Sequence, residues 1–563
     1  MPAAADSARS PNATQVLLRE LYDAPAALDP ILGRLTDSEV NGDTGTTITP
    51  TEAALLMEHG LAQAANADDP TTPLVIAGDW LCSRRIWRHE RDLARQLVDR
   101  ARQPPKDLAP TVIAALDQHF PPSPKALSIA GIDWQRRAAE VALTHGLALI
   151  TGGPGCGKTT VAGRIVMLDV LSRTAVPVVV LAAPTGKAAA RLTEAVRAAL
   201  VAAGWSGDSA ASVTQWSSTL HRLFHDPRVD QVDLAIIDEV SMASAATLGR
   251  VLVRLPATAR ILLLGDPDQL ASVEPGRVLG DLAAVPADHP LATVSTRLRV
   301  NWRSDKAPAL AGLVEALQGG EPHAERRLET PSPGPSDRTW VHRCDLPASP
   351  STLVAGLMTT HAGWLSQVLD AKDPAHALAA LDEVRLVSVL RRGPWGCDAI
   401  NDLWERLLYR RFNRAVDAHG HYHGRPLLVT GNRPDLGLAN GDIGVCWTDP
   451  SDRLVVHFPE LVGTRTVPLH RLDGLSPAWF LTVHKAQGSQ GNQVEVIGLP
   501  LSATPGQRQL ATREMAYTAI TRAAQRVRVW WDRDGLATAL ANRDIERRRS
   551  NFPMAIRTAA RGG

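Results

Sequence analysis

A chain of 563 residues is too long for one ordinary hydrophobic core, so three or four domains are expected. With 44% hydrophobic and 21% charged residues it has a globular composition, and a net charge of +1 excludes a uniformly basic surface, so any nucleic-acid site must be local. The longest apolar stretch, residues 176–184, is strand-sized, the N-terminus shows no secretory signal, and the five cysteines lack Cys-x-x-Cys spacing; a reduced, cytoplasmic protein with no membrane span, zinc site or disulfide framework is expected.

Residues 1–110 read as a mainly helical domain that ends in "LVIAGDWLCSRRIWRHERDLARQL", a short strand pair leading into a charged helix. The Pro-rich joints "ARQPPKDLAP" and "PPSPKAL" mark a boundary. Beyond them, short apolar runs at 147–150, 176–183, 232–238 and 260–266 alternate with helical stretches, the signature of a parallel α/β lobe over 120–300. A second set at 383–390, 493–499 and 526–531 predicts another α/β lobe from 301–421 and 476–545. Between its halves, residues 422–475 alternate like β-strands around the turn "LANGDIGVC" and predict a small inserted barrel. Residues 546–563 read as a tail, a frayed surface end carrying Arg547 to Arg549.

The strongest local signal is "LALITGGPGCGKTT", a strand, a glycine loop and a helix start. Gly152, Gly153, Gly155 and Gly157 let backbone N–H groups approach phosphates, Cys156 contributes its own amide, and Pro154 lies between them in the loop. Lys158 reaches the β and γ oxygens, the Thr159 hydroxyl suits Mg²⁺, and Thr160 completes the motif. In "LAIIDEVSM", Asp238 ends a buried strand where a carboxylate can hold the hydrated Mg²⁺, and Glu239 is placed to polarise an attacking water. ATP binding alone is shared by kinases, transporters and GTPases. The discriminating residues lie further on: Asp266 and Gln269 in "LLLGDPDQL", Arg303 in "LRVNWRSD" and Arg522 in "YTAITRA", the arginines suited to stabilise charge on a transferring phosphoryl group. Only seven lysines occur, and Lys158, Lys187 and Lys485 all fall inside such motifs.

In order, "GGPGCGKTT", "LAAPTGKAAARL", "TLHRL", "IIDEVSM", "LLGDPDQLASVEPG", "NWRS", "LTVHKAQGSQG" and "YTAITRA" resemble the motif series of superfamily 1 DNA helicases, and more narrowly the RecD family, the α subunits of exodeoxyribonuclease V (RecBCD). The resemblance implies two RecA-like lobes with an SH3-like β-barrel insertion, ATP and Mg²⁺ as cofactors, and 5′ to 3′ translocation on DNA. It also implies a heterotrimer with RecB-like and RecC-like subunits that acts on duplex ends in recombinational repair, with residues 1–110 docking a partner and nuclease activity in another chain. By the same resemblance Gln135 reads the adenine, and Trp302 stands where an aromatic, often Tyr, stacks on the base. Gln269 senses the γ-phosphate, and Arg303 and Arg522 are arginine fingers. Thr185, Lys187, Thr219 and His221 grip the strand from the first lobe, and Thr482, His484 and Lys485 from the second, where hydroxyl and ammonium groups hold phosphates. A stand-alone RecD-like helicase and an ATPase-dead regulatory subunit are the competing readings.

Overall fold

The computed structural model describes residues 24–67, 71–173, 175–302, 305–328, 339–412, 416–417, 419–460, 463–543 and 548–561. The described N-terminal part is mainly helical, as expected, with helices Asp29–Val40, Pro50–Glu58 and Arg84–Ala101, and it also contains a small four-stranded sheet. The strands are β1 (Thr46–Thr47), β2 (Ala62–Ala64), β3 (Leu74–Ala77) and β4 (Trp80–Ser83), in the order β1-β4-β3-β2. With two to four residues each, these strands are too short for alternation to register in the sequence. The expected pair β3 and β4 forms an antiparallel hairpin with Ala77 opposite Trp80. Its turn begins at Gly78, whose φ of +67° is the left-handed geometry that tight hairpins require.

The helix Arg84–Ala101 follows as expected, but its apolar face does not close an N-terminal core. Leu93, Ala94, Leu97 and Val98 belong to the same buried cluster as the first parallel sheet. Arg100 fastens the helix there by donating to the carbonyls of Pro256 and Ala259, each at 2.9 Å. The N-terminal part keeps a core of its own, with Leu28, Leu32, Leu56, Leu61 and Leu81, and this helix carries the chain from it onto the core beyond the Pro-rich joints.

The first sheet comprises β5 (Leu147–Gly152), β6 (Val179–Ala183), β7 (Ser217–Thr219), β8 (Leu234–Ile237), β9 (Arg260–Gly265) and β10 (Ser295–Leu298). All neighbours pair in parallel, in the order β10-β5-β9-β8-β6-β7. Helices on both faces bury the strands, which explains their nearly unbroken Val, Ile and Leu runs. The carboxyl ends of β5, β8 and β9 carry the glycine loop, Asp238 and Asp266, where an open parallel sheet binds ligands.

The second parallel sheet uses β11 (Trp340–Cys344) and β12 (Val384–Ser388) and is completed by strands on the far side of an insertion. Within the insertion, β13 (Pro426–Val429), β14 (Ile443–Thr448), β15 (Leu454–Pro459), β16 (Thr464–Pro468) and β17 (Leu475–Pro477) form a wholly antiparallel sheet in the order β16-β15-β14-β13-β17. Its core holds Leu427, Val429, Cys446, Val456, Phe458 and Val467. The chain then returns through β18 (Phe480–Thr482), β19 (Gly491–Ile497) and β20 (Ala523–Trp530), giving the parallel order β11-β20-β19-β12-β18. The two parallel sheets give the chain the RecA-like α/β fold of P-loop helicases.

The expected frayed tail is instead a structured strap. Residues 548–551 run beside the N-terminal part, where Thr44 N–H donates to the Arg549 carbonyl (3.0 Å) and Asn551 N–H to Thr44 Oγ1 (3.0 Å). Helix Phe552–Arg561 then buries Phe552 and Ile556 in the core of the first sheet. Burying two such side chains stabilises the strap by roughly 1.5–3 kcal/mol each, which is why a basic, polar-looking end stays ordered. Arg547 lies outside the described residues. No helix among the described residues is long and apolar enough to cross a membrane.

Candidate ATP site and nucleic-acid interface

Strand β5 delivers the loop Gly152 to Gly157 to the start of the helix Lys158–Leu171, with Gly157 as its N-cap. Gly155 and Gly157 both have φ +84°, a conformation only glycine adopts freely. A Cβ on Gly157 would stand 2.4 Å from the Gln135 Nε2 and 3.7 Å from the Trp302 ring. Thus Gln135 and Trp302, widely separated in sequence, close on one point of the loop. Gln135 Nε2 donates to the Cys156 carbonyl at 3.1 Å, and the Trp302 N–H to the Gly155 carbonyl at 2.9 Å. Asp133 orients the Gln135 helix by accepting from the Gln135 and Arg136 N–H groups. Cys156 is buried, its thiol pushed up by burial, in keeping with an inert loop residue.

Lys158 Nζ donates to the Gly152 carbonyl at 2.6 Å and to the Gly153 carbonyl at 3.2 Å, so the ammonium already lies in the loop's mouth. Thr159 beside it is half-buried, whereas Thr160 is exposed. Burial and the neighbouring Glu239 charge raise the Asp238 carboxyl to about 7, against the opposing pull of Lys158. The Glu239 N–H donates to Asp238 Oδ1 at 2.7 Å. Glu239 itself sits at φ +52°, a left-handed conformation that costs a non-glycine residue roughly 1–2 kcal/mol and marks this turn as shaped for more than chain reversal.

Gln269 is buried, with its Nε2 donating to Asp266 Oδ2 at 3.1 Å and its Oε1 without a hydrogen-bond partner. Arg522 arrives from the second sheet and is 2% exposed. Its guanidinium donates to the Thr518 carbonyl (3.0 Å) and the Ser489 carbonyl (3.3 Å) and feels the charges of Glu239 and Asp266. The structure therefore gathers Lys158, Asp238, Glu239, Gln269 and Arg522 around the loop. Arg303 lies outside the described residues.

The candidate strand-binding residues converge on two adjoining clefts. Thr185, Thr219 and His221 line one of about 970 Å³. Thr185, Lys187, His484 and Lys485 line the other, of about 180 Å³. Thr482 lines neither; its hydroxyl accepts from the Lys485 N–H at 3.3 Å and caps the short helix Val483–Ala486. Thr185 and Thr219 cap helices in the same way, and Thr219 is buried, so each of the three hydroxyls already accepts one backbone hydrogen bond and keeps its O–H to donate. Lys187 reaches across to Asp382, on the helix Pro374–Glu383 that leads into β12, at 2.8 Å, and burial first, then the Arg385 charge, depresses its ammonium to about 7. Several lining residues, Met242, Asn432, Asn440 and Val273 among them, are not singled out by the sequence. Asn440, whose side chain accepts from Lys485 Nζ, sits in the "LANGDIGVC" turn, read only as a turn, and Val273 is 81% exposed in the stretch just after Gln269.

Residues 132–331 match the AAA domain family and residues 477–530 the UvrD-like helicase C-terminal domain. Together with the paired parallel sheets and the phosphate loop, these define a superfamily 1 P-loop helicase. The chain is 34% identical to the RecBCD enzyme subunit RecD of Mycobacterium tuberculosis, over 89% of this chain and 88% of that one. It is equally identical to the Mycolicibacterium smegmatis RecBCD enzyme subunit RecD, over 81% and 79%. It thus belongs to the RecD family. It is also 27% identical to the ATP-dependent RecD2 DNA helicase of Deinococcus radiodurans, over 85% of this chain but 60% of that one.

Proposed function

We propose that the chain is the motor subunit of a RecBCD-type helicase-nuclease, translocating 5′ to 3′ on single-stranded DNA by hydrolysing ATP. Residues 120–300 and the pair 301–421 and 476–545 act as two RecA-like lobes, 422–475 as an SH3-like insertion, and residues 1–110 as the docking unit for RecC-like and RecB-like partners. The observation that carries the reading is a contact. Arg522, which faces the ATP loop, donates to the carbonyl of Ser489, and Ser489 lines the same cleft as Lys485. A change at one site therefore moves an atom of the other.

The residues suit a nucleoside triphosphate: a loop cradle that any Cβ at Gly157 would fill, an ammonium in its mouth, and a buried amide oxygen with an unmet hydrogen bond at Gln269. Lys158 and the loop N–H groups bind the phosphates, and Thr159 with Asp238 would hold Mg²⁺, which when bound neutralises charge on the β and γ oxygens. Glu239 orients the attacking water and takes its proton. Gln269 and Arg522 bear on the transferring phosphoryl group, as does Arg303 by the family resemblance. Gln135 reads the adenine edge and Trp302 stacks on the base. Across the interface, Thr185, Lys187, Thr219 and His221 hold the strand on one lobe and Thr482, His484 and Lys485 on the other, so lobe closure becomes stepping. The higher identity to the RecD subunits, 34%, than to the RecD2 helicase, 27%, favours a subunit over a stand-alone enzyme.

The test is the ATPase rate of the purified chain with and without single-stranded DNA, wild type beside Lys485→Ala. We expect DNA to stimulate the rate, with the substitution raising the DNA concentration for half-stimulation about tenfold. Equal stimulation of both proteins would remove Lys485 from the strand-binding set.

A further inference from the structure

The residue on either side of Gln269 that fixes its position is held from the other lobe. Three residues before it, Asp266 Oδ2 accepts from the Tyr517 hydroxyl at 2.9 Å as well as from Gln269 Nε2 at 3.1 Å. One residue after it, the Leu270 N–H donates to Thr518 Oγ1 at 2.9 Å, while the Leu270 carbonyl accepts from Gln487 Nε2 at 3.3 Å. Tyr517 and Thr518 are consecutive in the helix Arg513–Ile520, and both are buried. A third side chain completes the arrangement: Gln318 Nε2 donates to the Tyr517 oxygen at 3.0 Å and to Asp268 Oδ2 at 3.1 Å. Asp268 is held in turn by Arg297 at 2.8 Å.

The geometry has a direct chemical consequence. An amide has a donor end and an acceptor end, and Asp266 can take only the donor end of Gln269. As long as Asp266 stays where Tyr517 holds it, the Gln269 Oε1 is turned away from Asp266, and that oxygen is the atom left without a partner. We propose that Tyr517 is a positioning residue for ATP hydrolysis, setting the direction of the Gln269 amide through Asp266 and making that direction depend on how the second lobe is seated. Tyr517 acts on the reaction only through Gln269, and so the proposal rests on the reading of Gln269 as the residue that faces the γ-phosphate. The same bracket gives the second lobe a route to the hydrolysis step beside Arg522: the two meet at Thr518, whose carbonyl accepts from Arg522, but Asp266 is hydrogen-bonded by Tyr517 and not by Arg522.

The experiment uses the full chain in whatever assembly it purifies with, the rate remaining in Lys158→Ala being subtracted as background from other motors. Tyr517→Phe keeps the ring and removes the hydroxyl. We expect kcat for DNA-stimulated hydrolysis to fall about tenfold, the effect of one lost buried hydrogen bond, with KM for ATP and affinity for single-stranded DNA within about twofold of wild type. Gln269→Ala should lower kcat at least as far, and Tyr517→Phe added to Gln269→Ala should cost nothing further, since there is then no amide left to aim. Multiplicative losses in the double variant, or an unchanged kcat in Tyr517→Phe while Gln269→Ala is impaired, would overturn the positioning role. An unimpaired Gln269→Ala would instead overturn the reading of Gln269 itself. Thr518→Val supplies the second arm: it leaves the Leu270 N–H unpaired, and a kcat loss that also disappears in the Gln269→Ala background supports the bracket, whereas a loss that persists there opposes it.

Discussion

Each lobe contains the same three parts in succession, a buried parallel strand, a loop with glycines, and a helix, yet the two loops are built differently. In the first lobe β5 leads through Gly152 to Gly157 into the helix opened by Lys158 and Thr159. In the second, β12 leads through a loop with Gly393 at φ +92° into the helix Cys397–Phe412. No lysine or hydroxyl opens that helix. Its first turns instead grip β18: the Cys397 thiol and the Asn401 amide both donate to the Phe480 carbonyl, at 2.9 and 3.0 Å, and Asn401 Oδ1 accepts from the Phe480 N–H. Strand β18 leads into "LTVHKAQGSQG". A shared architecture thus offers a helix start in both lobes, and side chains decide whether it opens with the Lys158 ammonium or grips the strand that leads into "LTVHKAQGSQG". The lobes differ again at their backs, since only the first shares its core with the helices Arg84–Ala101 and Phe552–Arg561.

The comparison breaks most visibly at the loops. Lys158→Ala should reduce DNA-stimulated ATP hydrolysis by about 10³-fold, as expected when a principal phosphate charge is lost, while Cys397→Ala, at the matching place in the second lobe, should leave the rate within about twofold. A comparable loss from Cys397→Ala, read in the same ATPase assay, would show that the second loop also meets the nucleotide. Next in size is Arg522, the second lobe's contribution to the ATP face. Arg522→Ala should lower kcat by about 10²-fold with little change in KM for ATP, because the charge matters most when the phosphoryl group is in transit. A rise in KM with kcat preserved would make it a ground-state binding residue.

The smallest effect sharpens the contrast between the braced and unbraced lobes. Glu90 on the Arg84–Ala101 helix is 2% exposed, accepts from Ser550 Oγ at 2.9 Å, and burial raises its carboxyl to about 8. In the unfolded chain the same carboxyl ionises near 4.5. Folding therefore takes up a proton between pH 4.5 and 8, so this group's contribution to stability declines as pH rises through that window and levels off above it. Glu90→Gln, which cannot ionise, should flatten the fall of Tm between pH 5 and 8 by a few degrees, measured by calorimetry of the full chain. An unchanged pH profile would show that Glu90 is not the group that carries this dependence.

The sequence makes the motor legible and the bracing illegible, for physical reasons. Runs such as "LALI", "RILLLGD" and "EVRLVSVL" announce buried parallel strands because both faces must be apolar. By contrast β7, β10 and β18 are only three or four residues long, and β7 and β10 are largely polar, so they carry no such signal. The glycine loop is read at once, since its backbone geometry restricts which residues fit. The engagement of Lys187 by Asp382 could not be read, because the partners are 195 positions apart, and neither could the use of Thr482 as a helix cap in place of a free hydroxyl. The insertion's role in the strand cleft was hidden for the same reason: Asn440 looks like an ordinary turn residue until the fold brings it to Lys485. The C-terminal strap has only a brief apolar pattern, and what it covers lies at the other end of the chain.

That strap also sets an order of events during synthesis. Ser550 is made 460 residues after Glu90, an interval on the order of a minute at about 5–20 residues per second. Until then the N-terminal part has emerged without the segment that later pins Thr44 and Glu90, so this seam closes only after both parallel sheets between its two sides have been made.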